Sequence, residues 1–142
     1  MMIEKYLFFR TGGAAATEDD EVTGSTYYPF SSFRGACSGT SDQKGAVTDD
    51  DNAVSLFFTP KASTGSGGDA DDAQGDNVDV VVLATAQYGQ KAVMENLLNQ
   101  MNHVANDKNT AVLQVFDGYV GNTGADMTGV TGCTVLHVEN AD

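Results

Sequence analysis

Positive charge is scarce in this chain: 7 lysines and arginines stand against 20 aspartates and glutamates among 142 residues, for a formal net charge of −13 with both histidines neutral. The cations are scattered singly, so the basic patch with which proteins neutralise phosphate is missing, and neither nucleic acid nor an anionic membrane is an expected partner. Long apolar runs are missing too. The longest, Val80–Ala86, is interrupted by Thr85 and is far too short to cross a bilayer. The opening MMIEKYLFFRT interleaves charge with apolar residues and has no basic segment followed by an apolar core and a small-residue cleavage site, so no secretion signal is expected. Cysteine is rare: Cys37 and Cys133 lie far apart with no paired histidines nearby, a pattern of reduced, buried small side chains rather than of a disulfide, a metal site or a nucleophile.

Catalytic motifs are missing as well. The two histidines, His103 in a helical stretch and His137 in the last extended one, form no His-Glu-x-x-His or Cys-x-x-Cys pattern. Gly-x-Ser-x-Gly is absent. Cys133 and His137 share a strand face, but about 13 Å of extended chain separates them. GACSGTSDQKG and GSGG look like phosphate loops, yet neither ends in Gly-Lys-Ser/Thr ahead of a helix. No enzyme is expected.

What is present favours turns and strands. Fifteen of the 20 acids are aspartate, and Asp, Gly, Thr, Ser and Asn dominate the polar residues, which argues against a helical bundle. The apolar residues fall in distinct runs. Glu4–Thr11 reads as a central first strand with Tyr6, Phe8 and Arg10 on one face and Leu7 and Phe9 on the other. Ala53–Thr59, stopped by Pro60, Ala111–Phe116 and Cys133–Val138 read as further strands, and Val78–Ala86, apolar on both faces, as an interior one. Gln90–Ala105 carries Val93, Met94, Leu97, Leu98, Met101 and Val104 at helical spacing. Pro29 and Gly35 reduce Tyr27–Gly35 to an ordered, packed loop. Flexible acidic loops are expected at about residues 12–24, 40–52 and 61–77. Thirteen of the 20 acids fall in Glu18–Glu21, Asp42–Asp51 and Asp69–Asp79, which places the acidity on an exposed loop surface. The expectation is one α+β domain over residues 1–142: a mainly antiparallel or mixed sheet covered by a single amphipathic helix, with Val78–Phe116 as a right-handed crossover between parallel strands.

Two residue groups are candidate sites. Asp49, Asp50, Asp51, Asp69, Asp71 and Asp72, with Asn52, Asp76 and Asp79 nearby, supply the hard oxygens that calcium takes, which makes calcium the one candidate cofactor. The spacing is not that of an EF-hand: counted from Asp69, position 5 is Ala73 and position 6 is Gln74. Solvated acidic loops are the simpler reading. Arg10, which ends the first strand, and Arg34, inside the aromatic-flanked Ser-Ser-Phe-Arg-Gly turn, form with Tyr27, Tyr28, Phe30 and Phe33 the candidate assembly interface, and their planar guanidinium groups suit pins either within the chain or between subunits.

EKYLFFRT, the acidic Thr17–Asp20, the Pro29-x-Ser-Ser-Phe-Arg-Gly turn ending at Gly35, LFFTP at Leu56–Pro60, and VDVVVLATA leading into KAVMENLLNQMN resemble short acidic proteins encoded by marine cyanobacterial tailed phages. The Gly/Asp insertion at Gly65–Gly75 is longer than in that pattern. The resemblance implies a virion structural protein, a capsid cement or decoration protein, with copies of itself or the major capsid protein as partners and no catalytic residues. Virion placement fits a chain without an export signal, made in the host cytoplasm, whose surface suits a saline exterior. A tail, fibre or self-polymerising filament subunit is the structural alternative. A soluble module for calcium or carbohydrate is the other.

Overall fold

The structure, a computed structural model, describes residues 4–10, 25–41, 47–59, 78–117 and 127–138. In chain order the elements are β1 (Tyr6–Arg10), β2 (Ser25–Pro29), a 3-10 turn (Phe30–Ser32), β3 (Phe33–Ser38), β4 (Thr40–Ser41), β5 (Val47–Thr48), β6 (Ala53–Phe58), β7 (Val78–Thr85), α1 (Gln90–Ala105), β8 (Val112–Asp117) and β9 (Val130–Val138). They form a three-stranded sheet in the order β2-β1-β8, a four-stranded sheet in the order β3-β6-β7-β9, and a two-stranded ribbon of β4 and β5. The fold is α+β.

The alternation in β1 sets the main packing. Leu7 and Phe9 are fully buried while Tyr6 is exposed, so one face of the three-stranded sheet turns inward. That face meets the inner side of the four-stranded sheet, where Val54, Leu56, Phe58, Val81, Leu83, Cys133 and Val135 lie, and Val93, Leu97 and Val104 of α1 close the same core. Burying each such aliphatic or aromatic side chain is worth about 1.5–3 kcal/mol. Phe58 joins the two sheets: its ring stacks on Tyr28 at 4.3 Å and meets Phe9 edge-on at 5.8 Å.

Several expectations change. Tyr27–Gly35 is not a loop but the end of β2, a 3-10 turn and the start of β3. Pro29 is tolerated because β2 is an edge strand, where a missing N–H breaks no ladder. Gly35 follows a bulge: Phe33 and Gly35 face the consecutive residues Phe58 and Phe57, which leaves Arg34 as the extra residue. The crossover is wrong as well. β7 and β8 lie in different sheets, and the parallel pair is β1 with β8. Leu98, expected in the helix's apolar stripe, is 56% exposed, whereas the contact of the four-stranded sheet with a second sheet is one that strands apolar on both faces anticipate. The loop expected at 40–52 contains the β4–β5 ribbon, while those at 12–24 and 61–77 lie outside the described residues.

The ribbon is held against the four-stranded sheet at Gly39. The Gly39 N–H donates to the Ala53 carbonyl at 2.8 Å, and the Ser55 hydroxyl donates to the Gly39 carbonyl at 2.9 Å. Gly39 has φ +117°, and a Cβ there would stand 2.6 Å from the Thr48 carbonyl oxygen, so only glycine fits.

Candidate functional site

Two surfaces gather the residues singled out by sequence. The first is the outer face of the three-stranded sheet. Register places Tyr27 beside Phe8 and Tyr6 between Pro29 and Val112. The Phe8 and Tyr27 rings lie 4.8 Å apart, and Tyr6, Tyr27 and Val112 are 39%, 49% and 36% exposed. Charge sits only at the two ends of this face among the described residues. Arg10 lies 3.6 Å from the Asp117 carboxylate, and Glu4 accepts a hydrogen bond from the Ser31 hydroxyl. Arg10 is thus a pin within the chain. Tyr28, grouped by sequence with the interface aromatics, is instead fully buried: it alternates inward from Tyr27. Phe30 and Phe33 are half-buried against the core, and Arg34 is exposed on edge strand β3.

The second surface is an open hollow of about 690 Å³ lined by Ser38, Asp49, Asp50, Asp51, Tyr88 and Gln90. Here the acidic loop is lashed to the turn between β7 and α1. The Thr85 N–H donates to the Asn52 carbonyl at 2.8 Å and the Tyr88 N–H to the Asp51 carbonyl at 2.6 Å. The Gln90 amide donates to the Asp50 carbonyl at 2.7 Å, and the Gln87 amide to the Asp51 carboxylate at 2.8 Å. The Asp50 carboxylate accepts from the Asn52 N–H at 3.0 Å. Tyr88 takes a left-handed backbone (φ 60°) and leaves its ring 77% exposed.

The calcium candidates therefore separate. Asp49, Asp50 and Asp51 share the hollow, Asp69, Asp71 and Asp72 lie outside the described residues, and no group of three metal-ligating side chains converges among the described residues. Asp79, counted from sequence with the acidic loops, is instead buried in β7, where its carboxylate accepts the Tyr28 hydroxyl at 2.6 Å. Burial, followed by the neighbouring carboxylate, raises the Tyr28 phenol well above its ordinary range, so it stays a proton donor. Cys133 is buried and its thiol is pushed up to about 12, mainly by desolvation, which keeps it from acting as a thiolate at neutral pH. Cys37 is half-buried, and both thiols are free.

Sequence reasoning missed one cation. Lys5 is buried, and its ammonium donates to the carbonyls of Asp107, at 2.8 Å, and Thr110, closing the turn between α1 and β8. Its signal was its parity with Leu7 and Phe9, which marks it as inward-facing. The same turn holds the Asp107 carboxyl below its ordinary range, first through the Asn109 N–H and then through the Thr110 hydroxyl. No described helix is long and apolar enough to cross a membrane. Comparison with protein-family models, curated proteins and solved structures finds no match for the chain.

Proposed function

We propose that the chain is a non-enzymatic structural protein of a virion, a cement or decoration protein that stabilises a phage capsid shell through the major capsid protein, copies of itself, or both. The observation that supports this reading is segregation of surface character. A chain of net charge −13 exposes Tyr6, Tyr27 and Val112 together on one sheet face, while Asp49, Asp50 and Asp51 gather at the hollow beside the start of α1. Patches of exposed aromatic surface on a soluble fold mark contact with another macromolecule. A tail, fibre or filament subunit would use the same face, and its place in particle micrographs separates the two.

The hollow supports a second reading, a soluble module for calcium or carbohydrate, because its carboxylates are oxygen groups that either ligand uses and the exposed Tyr88 ring gives a sugar a face to stack on. Size exclusion with light scattering, on the protein alone and with purified capsid shells, tests the first reading. Retention on shells is expected, and a monomer that never binds shells overturns it. Stabilisation of the isolated monomer by calcium or sugar would favour the second reading.

A further inference from the structure

We infer that the hollow beside the start of α1 is a socket for a guanidinium group, and that its occupant is an arginine side chain presented by a partner protein. The inference goes beyond calcium and carbohydrate, and it rests on the assembly reading above only in taking a protein as the source of that group.

The hydrogen bonds already made at the hollow decide what it has left to offer. The Gln90 Nε2 lies 2.7 Å from the Asp50 carbonyl oxygen, and the Gln87 Nε2 lies 2.8 Å from an Asp51 carboxylate oxygen. A carbonyl and a carboxylate only accept, so these contacts fix which end of each amide is nitrogen. Gln90 is 8% exposed, which makes it a held side chain rather than a mobile surface one. Its Oε1 accepts no hydrogen bond among the described residues and yet is not sealed from solvent, and the residue lines the hollow. A buried amide with one end spent and the other turned to an opening is an oriented acceptor. Asp50 has one carboxylate oxygen on the Asn52 N–H and Asp51 has one on Gln87, so each keeps its second oxygen. Tyr88 adds the negative face of a ring that is 77% exposed. The donors that remain on the described lining side chains are the Ser38 and Tyr88 hydroxyls, which turn equally well to accept, and one Gln90 amide hydrogen.

A hollow built of carboxylate oxygens, an amide oxygen and a π face selects a ligand made of donors. Calcium uses converging oxygens and no ring, and no three metal-ligating side chains converge among the described residues. A saccharide hydroxyl both donates and accepts, and donors are what the hollow lacks. A guanidinium is planar, carries five N–H donors and no acceptor, pairs with carboxylates through two parallel bonds and stacks on aromatic faces. A lysine ammonium shares the charge but neither the plane nor the fork. The hollow, about 690 Å³, is within the size range of ligand pockets, and a net charge of −13 draws cations to it. The same charge makes a second copy a poor source, because the two chains repel; the arginine belongs to a partner whose contacting surface is basic.

Titration of the full chain with a blocked Gly-Arg-Gly peptide, followed by NMR at the Gln90 side-chain amide and the Tyr88 ring, tests the inference. Saturable shifts at both groups are expected. The citrulline peptide, in which a neutral urea replaces the guanidinium, should bind about tenfold more weakly, and the lysine peptide several-fold more weakly. Affinity should fall several-fold between 0.1 M and 1 M salt, as the Debye length contracts from about 10 Å to about 3 Å. Tyr88→Leu keeps an apolar side chain but removes the π face, and Asp49→Asn removes a charge; both should weaken the arginine peptide several-fold. Both sites are exposed, so an unchanged melting temperature shows that the variants fold. An arginine peptide that leaves Gln90 and Tyr88 unshifted at its highest soluble concentration overturns the inference, as do citrulline or glutamate peptides that bind equally well, or two variants that bind like wild type. Calcium or a saccharide that moves the same signals at lower concentration than the peptide also overturns it. Cosedimentation with capsid shells is scored separately. A chain that binds the arginine peptide but ignores shells leaves the socket standing and removes the shell reading, whereas shells that retain wild type and Tyr88→Leu alike, with no response to the peptide, do the reverse.

Discussion

Replacing Tyr28 by phenylalanine removes one oxygen atom and tests how the two sheets are joined. The Tyr28 ring is fully buried against Phe58, so the substitution keeps the 4.3 Å stack and deletes the 2.6 Å hydrogen bond to Asp79. A hydrogen bond to a charged group contributes about 1.5–3 kcal/mol. For a chain of this length each kcal/mol is roughly 3–5 °C in melting temperature, so a loss of about 2 kcal/mol predicts a drop of roughly 6–10 °C. Urea unfolding should move its midpoint with an unchanged slope. A double-mutant cycle isolates the pair: Tyr28→Phe combined with Asp79→Leu should cost less than the sum of the two single changes, because their mutual hydrogen bond is lost only once. A coupling energy indistinguishable from zero would refute the account, since the hydroxyl and the carboxylate would then be acting independently of each other.

Alkaline pH should destabilise the fold. Tyr28, raised from an ordinary 10.0, and Cys133, raised from 9.0 to about 12, both hold their protons more tightly folded than unfolded. Their contribution is complete below pH 9 and is lost as pH climbs toward 12, and Cys133→Ala should flatten part of that slope in melts taken between pH 8 and 11. Gly39→Ala should destabilise strongly, or prevent folding, since its Cβ would collide with the Thr48 carbonyl at a positive φ; a normal melt would show that the ribbon can shift aside. Leu97→Ala should cost about 2–5 kcal/mol and Leu98→Ala less than about 0.5 kcal/mol, although the two are adjacent in sequence, and comparable losses in chemical unfolding would contradict the helix orientation. Arg34→Ala should reduce assembly further than Lys108→Ala, since Arg34 alone of the two is aimed outward by a bulge on an edge strand.

The parts of the fold that could be read from sequence are those where one signal dominates. Gln90–Ala105 was bounded correctly because its apolar residues recur at helical spacing between Gly89 and Asn106, and β6 and β7 stood out as β-branched and aromatic runs. β2 and β3 were hidden by Pro29 and Gly35, which read as breakers although an edge strand and a bulge accommodate them. Sheet membership was hidden because a strand that follows a helix looks the same whether it pairs with the strand before that helix or joins another sheet. At the candidate site, composition pointed to the aromatics, but only the strand register separates exposed Tyr27 from buried Tyr28. Asp79 was misread because charge in an acidic region looks solvated until its neighbour across the sheets is known.

The parallel pairing of β1 with β8 governs how the molecule can be made. Tyr6 and Val112 are neighbours in space but 106 residues apart in the chain, so β1 leaves the ribosome long before one of its two partners exists. Until then β1 lacks β8 beside it, and the β1–β2 pair presents an unpaired edge to solvent even after the β6–β7 face that Leu7, Phe9 and Tyr28 pack on has been made. Folding should therefore be slow and late, with its commitment step at the synthesis of β8. Any cell expressing the chain at high level would be most exposed to aggregation during that interval, and lower temperature or slower expression should raise the yield of folded protein more than any change to the finished surface.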